Sequence, residues 1–192
     1  VYSAKFPSVI AKLISLEESL IDIESFAKSA KVAFIQEEVK NIEFKHNKII
    51  FKSRPAISYS DLVINCGSRT KVSKQFEELV QKKIAFPVKP FSESYKYILE
   101  EDKFDTYDEL PFVIIGSGLA AVEISFALRK RWKYRPLILV CNLQKLSDKF
   151  IFWLKKFKII LKPKINFNYK RILLCTGNAP HPWIENNYLR LD

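Results

Sequence analysis

The residues of this chain best suited to chemistry are Gly116, Ser117, Gly118, Leu119, Ala120 and Ala121, which form the pattern G-x-G-x-x-A. They lie between the apolar run FVII and AAVEISFALRKRW, a stretch with helical spacing and basic residues at its end. In a strand–turn–helix setting, the first glycine permits a tight turn and the second lets a pyrophosphate approach bare backbone. The small Ala121 lets helix and strand pack closely. The start of the helix adds unpaired N–H groups and a partial positive charge. The bare pattern is weak evidence, but a strand before it and a helix after it supply the context that a dinucleotide site requires. The alternative is a strand-to-helix turn with a purely structural role.

About twenty positions beyond such a turn, an acidic residue normally accepts hydrogen bonds from the adenosine ribose. Asn142 holds that place here. It donates or accepts but carries no charge, so NAD is not enforced. Lys145 nearby tolerates a 2′-phosphate, although the planar fork of an arginine is absent.

Several elements must hold this turn in place. FVII is apolar without alternation, the mark of a strand covered on both faces, and LILVC is a second such run. Strand, turn, helix and strand make a βαβ unit whose crossover is right-handed. Upstream, residues 15–30 predict a surface helix, with apolar positions at Leu16, Leu20, Ile23 and Phe26. KVAFIQEEV, NIEFKHNKIIF and a turn at Pro55 predict a small antiparallel meander. YSDLVINCGS predicts a strand that ends at a glycine. Residues 71–90 predict a short helix and a strand, IAFPVKP, crossing between domains, and 91–109 predict an exposed helix. Downstream come a helix at 146–157, a strand KIIL, a polar link and a last strand RILLCTG.

Composition narrows the function classes. The chain has only 4 glycines in 192 residues, well below the usual 7% or so, so those that remain are expected where a side chain does not fit. Gly67, Gly116, Gly118 and Gly177 each follow a strand-like run. Cys66, Cys141 and Cys175 are too few and too widely spaced for a disulfide framework or a CxxC pair. Each reads as a small buried hydrophobe. His46 and His181 do not make a zinc site. Ser117 lacks the G-x-S-x-G setting of a hydrolase elbow, and Asp105, Asp108 and Glu109 read as solvating charges at a helix end. No leader or spanning run occurs, which places the chain in the cytosol or on its membrane face. Methionine is absent and the chain opens mid-pattern at Val1-Tyr2-Ser3, as expected of a piece of something longer.

The net charge of +11 is unevenly placed: residues 129–171 carry +13 and the remainder −2. Solvated lysine faces account for this, but KFIFWLKKFKIIL also has the composition of an interfacial segment attracted to anionic lipid. Nucleic-acid binding would rest on the same basic excess with Trp132, Tyr134 and Trp153. No recognition motif accompanies it, so it is disfavoured.

GSGLAAVEISFAL resembles the nicotinamide-nucleotide turn of the pyridine nucleotide–disulfide oxidoreductase superfamily, flavoproteins with one Rossmann domain for FAD and one for NAD(P)H. Glu123 matches that pattern, and the resemblance implies a contact with nicotinamide or ribose. DLVINCGS, with Gly67-Ser68, is similar to the family's exit from the FAD domain. RILLCTGNAP, with Thr176-Gly177, is similar to its return. The three motifs keep the family's order. Residues 2–39 and HPWI resemble the type II NADH dehydrogenase-like branch, in particular the flavoprotein half joined to selenide, water dikinase.

The resemblance implies hydride transfer from NAD(P)H to FAD, then electrons to a quinone or another acceptor. It also implies a first FAD motif before Val1 and a Gly-Asp motif after Asp192, so the piece alone is not expected to hold FAD tightly. Ala4, Lys5 and Ser8 stand where glycines and a smaller apolar pattern are expected, and the meander between KIIL and RILLC is shortened.

The resulting expectation is an α/β fold: a Rossmann-like parallel sheet with flanking helices plus a small antiparallel β-meander. Residues 1–69 would be the middle part of an FAD domain, 70–170 the NAD(P)-binding domain and 171–192 the return segment. Cofactor contacts are expected at Gly116, Ser117, Gly118, Leu119, Ala120, Ala121, Glu123, Asn142, Gly67, Thr176 and Gly177. The alternatives are a non-catalytic interaction module for a fused or homo-oligomeric partner, and a basic peripheral membrane or nucleic-acid-binding protein.

Overall fold

The computed structural model describes residues 2–105, 110–166, 168–181 and 184. In chain order the helices are α1 (Phe6–Ile10), α2 (Ile23–Ser29), α3 (Lys74–Gln81), α4 (Phe91–Glu101), α5 (Leu119–Arg131) and α6 (Asp148–Lys156). The strands are β1 (Val39–Glu43), β2 (Lys48–Phe51), β3 (Ile57–Ser58), β4 (Arg69–Thr70), β5 (Ala85–Pro87), β6 (Phe112–Ile115), β7 (Leu137–Val140), β8 (Ile159–Lys162), β9 (Ile172–Leu174) and β10 (Asn178–Ala179).

Two compact units emerge. One, residues 1–20 and 68–179, contains a five-stranded parallel sheet in the order β5-β9-β6-β7-β8 and the antiparallel pair β4–β10. The other, residues 21–67 and 180–192, contains the antiparallel meander β1-β2-β3. This division differs from the expected boundaries. α1 carries Phe6, Val9 and Ile10, all buried, and Phe6 and Ile10 join the core formed by α5 and the parallel sheet. β9 pairs with both β5 and β6, which places it inside that sheet.

Every side chain of β6 and β7 is buried, as continuous apolar runs require. The period of two divides them between two cores. Phe112, Ile114, Leu137 and Leu139 face α4 and α5, whereas Val113, Ile115, Ile138 and Val140 face Phe76 of α3. Burying each such side chain is worth about 1.5–3 kcal/mol, so this sheet is a rigid platform for whatever follows its strands.

The far end of α5 is pinned by charge. Arg131 Nε and Nη2 donate to the two carboxylate oxygens of Asp102, each at 2.6 Å, while Trp132 Nε1 donates to the same group at 2.8 Å. Arg135 and Glu101 form a fully buried pair at 2.7 Å. Arg129 donates to the carbonyls of Trp132, Lys133, Arg135 and Lys158, satisfying chain ends beyond the helix. Asp105, read from sequence as a solvating charge, instead accepts the backbone N–H groups of Lys133, Tyr134 and Arg135. Part of the basic excess of 129–171 is thus internal structure.

Other expectations need correction. The helix predicted over 15–30 is broken. Leu20 is extended, and Asp22 starts α2 afresh by accepting the N–H of Ser25. DLVINC forms no strand; Val63 is exposed, and Cys66 is exposed rather than buried. IAFPVKP is no crossing between domains, because β5 pairs in parallel with β9. The helix predicted to 109 ends at Glu101 with one further 3₁₀ turn to Phe104. Residues 106–109, Pro182 and Trp183 lie outside the described residues.

Candidate functional site

The strand order places the site. From β6 the chain winds one way through β7 and β8, then returns on the other side of β6 as β9. Ligands of open α/β sheets bind at the carboxyl ends of strands where the winding reverses. Gly116, Cys175 and Cys141 directly follow β6, β9 and β7 at that edge. A cavity of about 1100 Å³ opens there, large enough for a dinucleotide.

The two glycines of the turn face different surroundings. A Cβ built on Gly116 would stand 2.3 Å from the carbonyl oxygen of Cys175 and 3.0 Å from the Ala121 Cβ. Only a hydrogen atom fits between β9 and α5. A Cβ on Gly118 would meet nothing within 4 Å, and Gly118 has φ −95°, a conformation any residue adopts. Packing demands the first glycine and does not demand the second. Gly118 is also the N-cap of α5 and offers no capping side chain. Among the described residues, the N–H groups of Leu119 and Ala120 therefore have no protein acceptor.

The remaining predicted residues mostly converge on the same cavity. Ser117 Oγ accepts the backbone N–H of Asn142 at 2.8 Å, tying the turn to the end of β7. Asn142 Oδ1 in turn accepts the N–H of Gln144 at 3.0 Å. Leu119, Ala120 and Glu123 line the opening, whereas Ala121 is fully buried beneath the turn. Thr176 Oγ1 donates to the carbonyl of Lys71, and the carbonyl of Gly177 accepts the Lys71 N–H at 2.9 Å. Gly67, with φ +75°, ends the 21–67 segment and is not among the residues lining this cavity.

Four lysines line the cavity: Lys71, Lys89, Lys145 and Lys164. Sequence reasoning weighed only Lys145. Lys89 gave no signal, because its placement depends on β5 lying in the sheet. Its Nζ donates to Ser68 Oγ at 2.9 Å and to Asn178 Oδ1 at 3.2 Å. Among the described residues, Glu123 is the only acid in the lining. Burial pushes the Cys175 thiol up to about 12 and raises that of Cys141, so neither is a thiolate near neutrality. Open backbone, free N–H groups and excess positive charge suit a pyrophosphate. Among the described residues no group of histidine, cysteine or acid could hold a metal ion.

No family model matches the sequence. Ferroptosis suppressor protein 1 of Xenopus laevis is 24% identical over 153 residues, covering 80% of this chain and 36% of that protein. The chain thus spans about a third of the length of the curated relatives it matches. Among solved structures, NADH:rubredoxin oxidoreductase from Clostridium acetobutylicum aligns with a TM-score of 0.73 at 19% identity, over 100% of this chain and 52% of that one. An engineered water-forming NADPH oxidase bound to NADPH aligns with a TM-score of 0.72 at 15% identity, over 96% and 47%. The fold is that of the pyridine nucleotide–disulfide oxidoreductases. Within that fold, the parallel sheet with its flanking helices and the small antiparallel meander stand as the sequence led one to expect. No helix among the described residues is long and apolar enough to cross a membrane.

Proposed function

We propose that this chain is the nicotinamide-nucleotide half of an FAD-dependent NAD(P)H oxidoreductase of the NADH dehydrogenase type. The observation that carries this reading is Gly118: a bare N-cap facing a dinucleotide-sized cavity, where the fold itself has no need of glycine. The pyrophosphate would lie against Gly118 and the N–H groups of Leu119 and Ala120. Ser117 holds the turn to β7, and the adenosine end would run toward Asn142. Glu123, Thr176 and Gly177 also line the cavity, and the nicotinamide end would lie toward them. The nucleotide supplies a hydride, and FAD in the intact protein is its acceptor. This chain contributes position and electrostatics. Gly67, Thr176 and Gly177 are proposed to belong to the flavin side in that larger protein.

Titration of the chain with NADH and NADPH tests this. Micromolar binding supports the reading, while no binding up to about 1 mM overturns it in favour of an interaction module for a fused or homo-oligomeric partner.

A second feature favours an anionic membrane surface as an additional partner, with the protein on the cytoplasmic face. Phe152, Trp153 and Phe157 are exposed on and beside α6, with Lys156 Nζ 4.6 Å from the Trp153 ring centroid. Together with Phe126, Arg129, Lys130 and Lys133, Trp153 and Phe157 line an apolar cleft. Co-sedimentation with phosphatidylglycerol vesicles but not phosphatidylcholine vesicles is the expected outcome.

A further inference from the structure

The end of β7 decides which nicotinamide nucleotide this site takes, an inference that rests on the nucleotide reading above. A site for NAD normally carries a carboxylate there, which accepts the ribose hydroxyls and repels a 2′-phosphate. No acidic residue occurs anywhere from 137 to 147. Asn142 stands in its place, and its Oδ1 already accepts the N–H of Gln144 inside the 3₁₀ turn Leu143–Lys145. What the side chain has left to offer a ligand is chiefly the Nδ2 donor pair.

The charges around it have the same polarity. Lys145 from the turn after β7 and Lys164 from the link after β8 line the cavity with Asn142. Neither forms an ion pair among the described residues. By contrast, Lys89 is held by Ser68 and Asn178, and Lys162 donates to the Tyr169 hydroxyl. The ribose of NAD offers hydroxyls at this point and would leave two cations without a counter-charge. A 2′-phosphate brings about −1.5 to −2 charges and acceptor oxygens only, which matches two ammonium groups and an amide donor.

We infer that this chain selects NADPH over NADH, with Asn142, Lys145 and Lys164 taking the adenosine 2′-phosphate. The test is calorimetric titration of the full chain with four compounds: NADP⁺, NAD⁺, adenosine 2′,5′-bisphosphate and 5′-AMP. The last two lack nicotinamide, so they report on the adenosine end alone. Adenosine 2′,5′-bisphosphate should bind at least about tenfold more tightly than 5′-AMP, and NADP⁺ should exceed NAD⁺ by a similar factor. Combining Lys145→Gln with Lys164→Gln should abolish that preference, weakening NADP⁺ and adenosine 2′,5′-bisphosphate at least about tenfold more than NAD⁺ and 5′-AMP. Asn142→Asp should reverse it. Equal or tighter binding of NAD⁺ and 5′-AMP overturns the inference and leaves the nucleotide site intact. Failure of all four to bind overturns both. If the variants do not fold, the comparison of adenosine 2′,5′-bisphosphate with 5′-AMP on the unaltered chain still decides the matter.

Discussion

The turn between β6 and α5 has a packed side and an open side, and they explain its two glycines differently. On the packed side, Gly116 is pressed between Ala121 of α5 and the end of β9, where a single added carbon would meet the Cys175 carbonyl. On the open side, Gly118 faces the cavity, and an added Cβ would meet none of the described residues within 4 Å. The same pattern thus contains one glycine demanded by packing and one, the N-cap of α5, that packing does not demand and that borders the cavity.

Substitutions at the turn can break or sharpen this contrast. The largest effect is expected at Gly116→Ala, which should destabilise the chain by about 3 kcal/mol through overpacking, measured as a shift in the urea midpoint. A stability close to that of the unaltered chain would mean that β9 and α5 have room to separate. Next, Gly118→Val should weaken nucleotide binding at least about tenfold, while costing only about 1 kcal/mol of stability as a poor N-cap. Unchanged affinity in titration would remove the open side as the binding surface.

Ser117→Ala deletes the hydrogen bond to the Asn142 N–H. A loss of about 1 kcal/mol is expected, with a mild weakening at the adenosine end, both readable from one set of thermal shifts with and without nucleotide.

The smallest effect concerns the other end of α5. Burial pushes the Asp102 carboxyl upward, but hydrogen bonds from Arg131, Trp132 and Lys12 and the charge of Arg131 outweigh it and hold the carboxyl below its ordinary 3.8. A folded value below the unfolded one means that this stabilisation is complete above about pH 4 and is lost as pH falls through the folded value. Asp102→Asn should therefore flatten the acid limb of the stability profile, seen in denaturant midpoints between about pH 5 and 2. A steep limb in the variant would assign the acid sensitivity to other carboxylates.

The βαβ unit was legible because its signals are local. FVII and LILV are long enough and apolar enough to be buried strands, and α5 begins where the glycine turn requires. DLVINC carries a similar run of apolar residues, yet it forms no strand and leaves Val63 exposed. Apolar length alone does not make a strand; a neighbour with free hydrogen-bonding groups must lie alongside. β5 shows the converse, a short proline-ended segment that becomes a strand because β9 offers its edge. The charge excess was visible too, but its division between internal arginines and exposed lysines was not. Arg131 and Arg135 are consumed by Asp102 and Glu101, which lie about thirty residues away in the chain.

Sequence by itself determined the turn, the strands on either side of it and the missing carboxylate at Asn142, because each depends on residue type and near spacing. Tertiary structure decided which glycine touches protein and which faces empty space. It also brought Lys71, Lys89, Lys145 and Lys164 around one cavity from four separate stretches of chain. The physical reason is that contacts across a sheet follow strand order, and the return of β9 to the far side of β6 is a property of how the strands pair rather than of any local pattern.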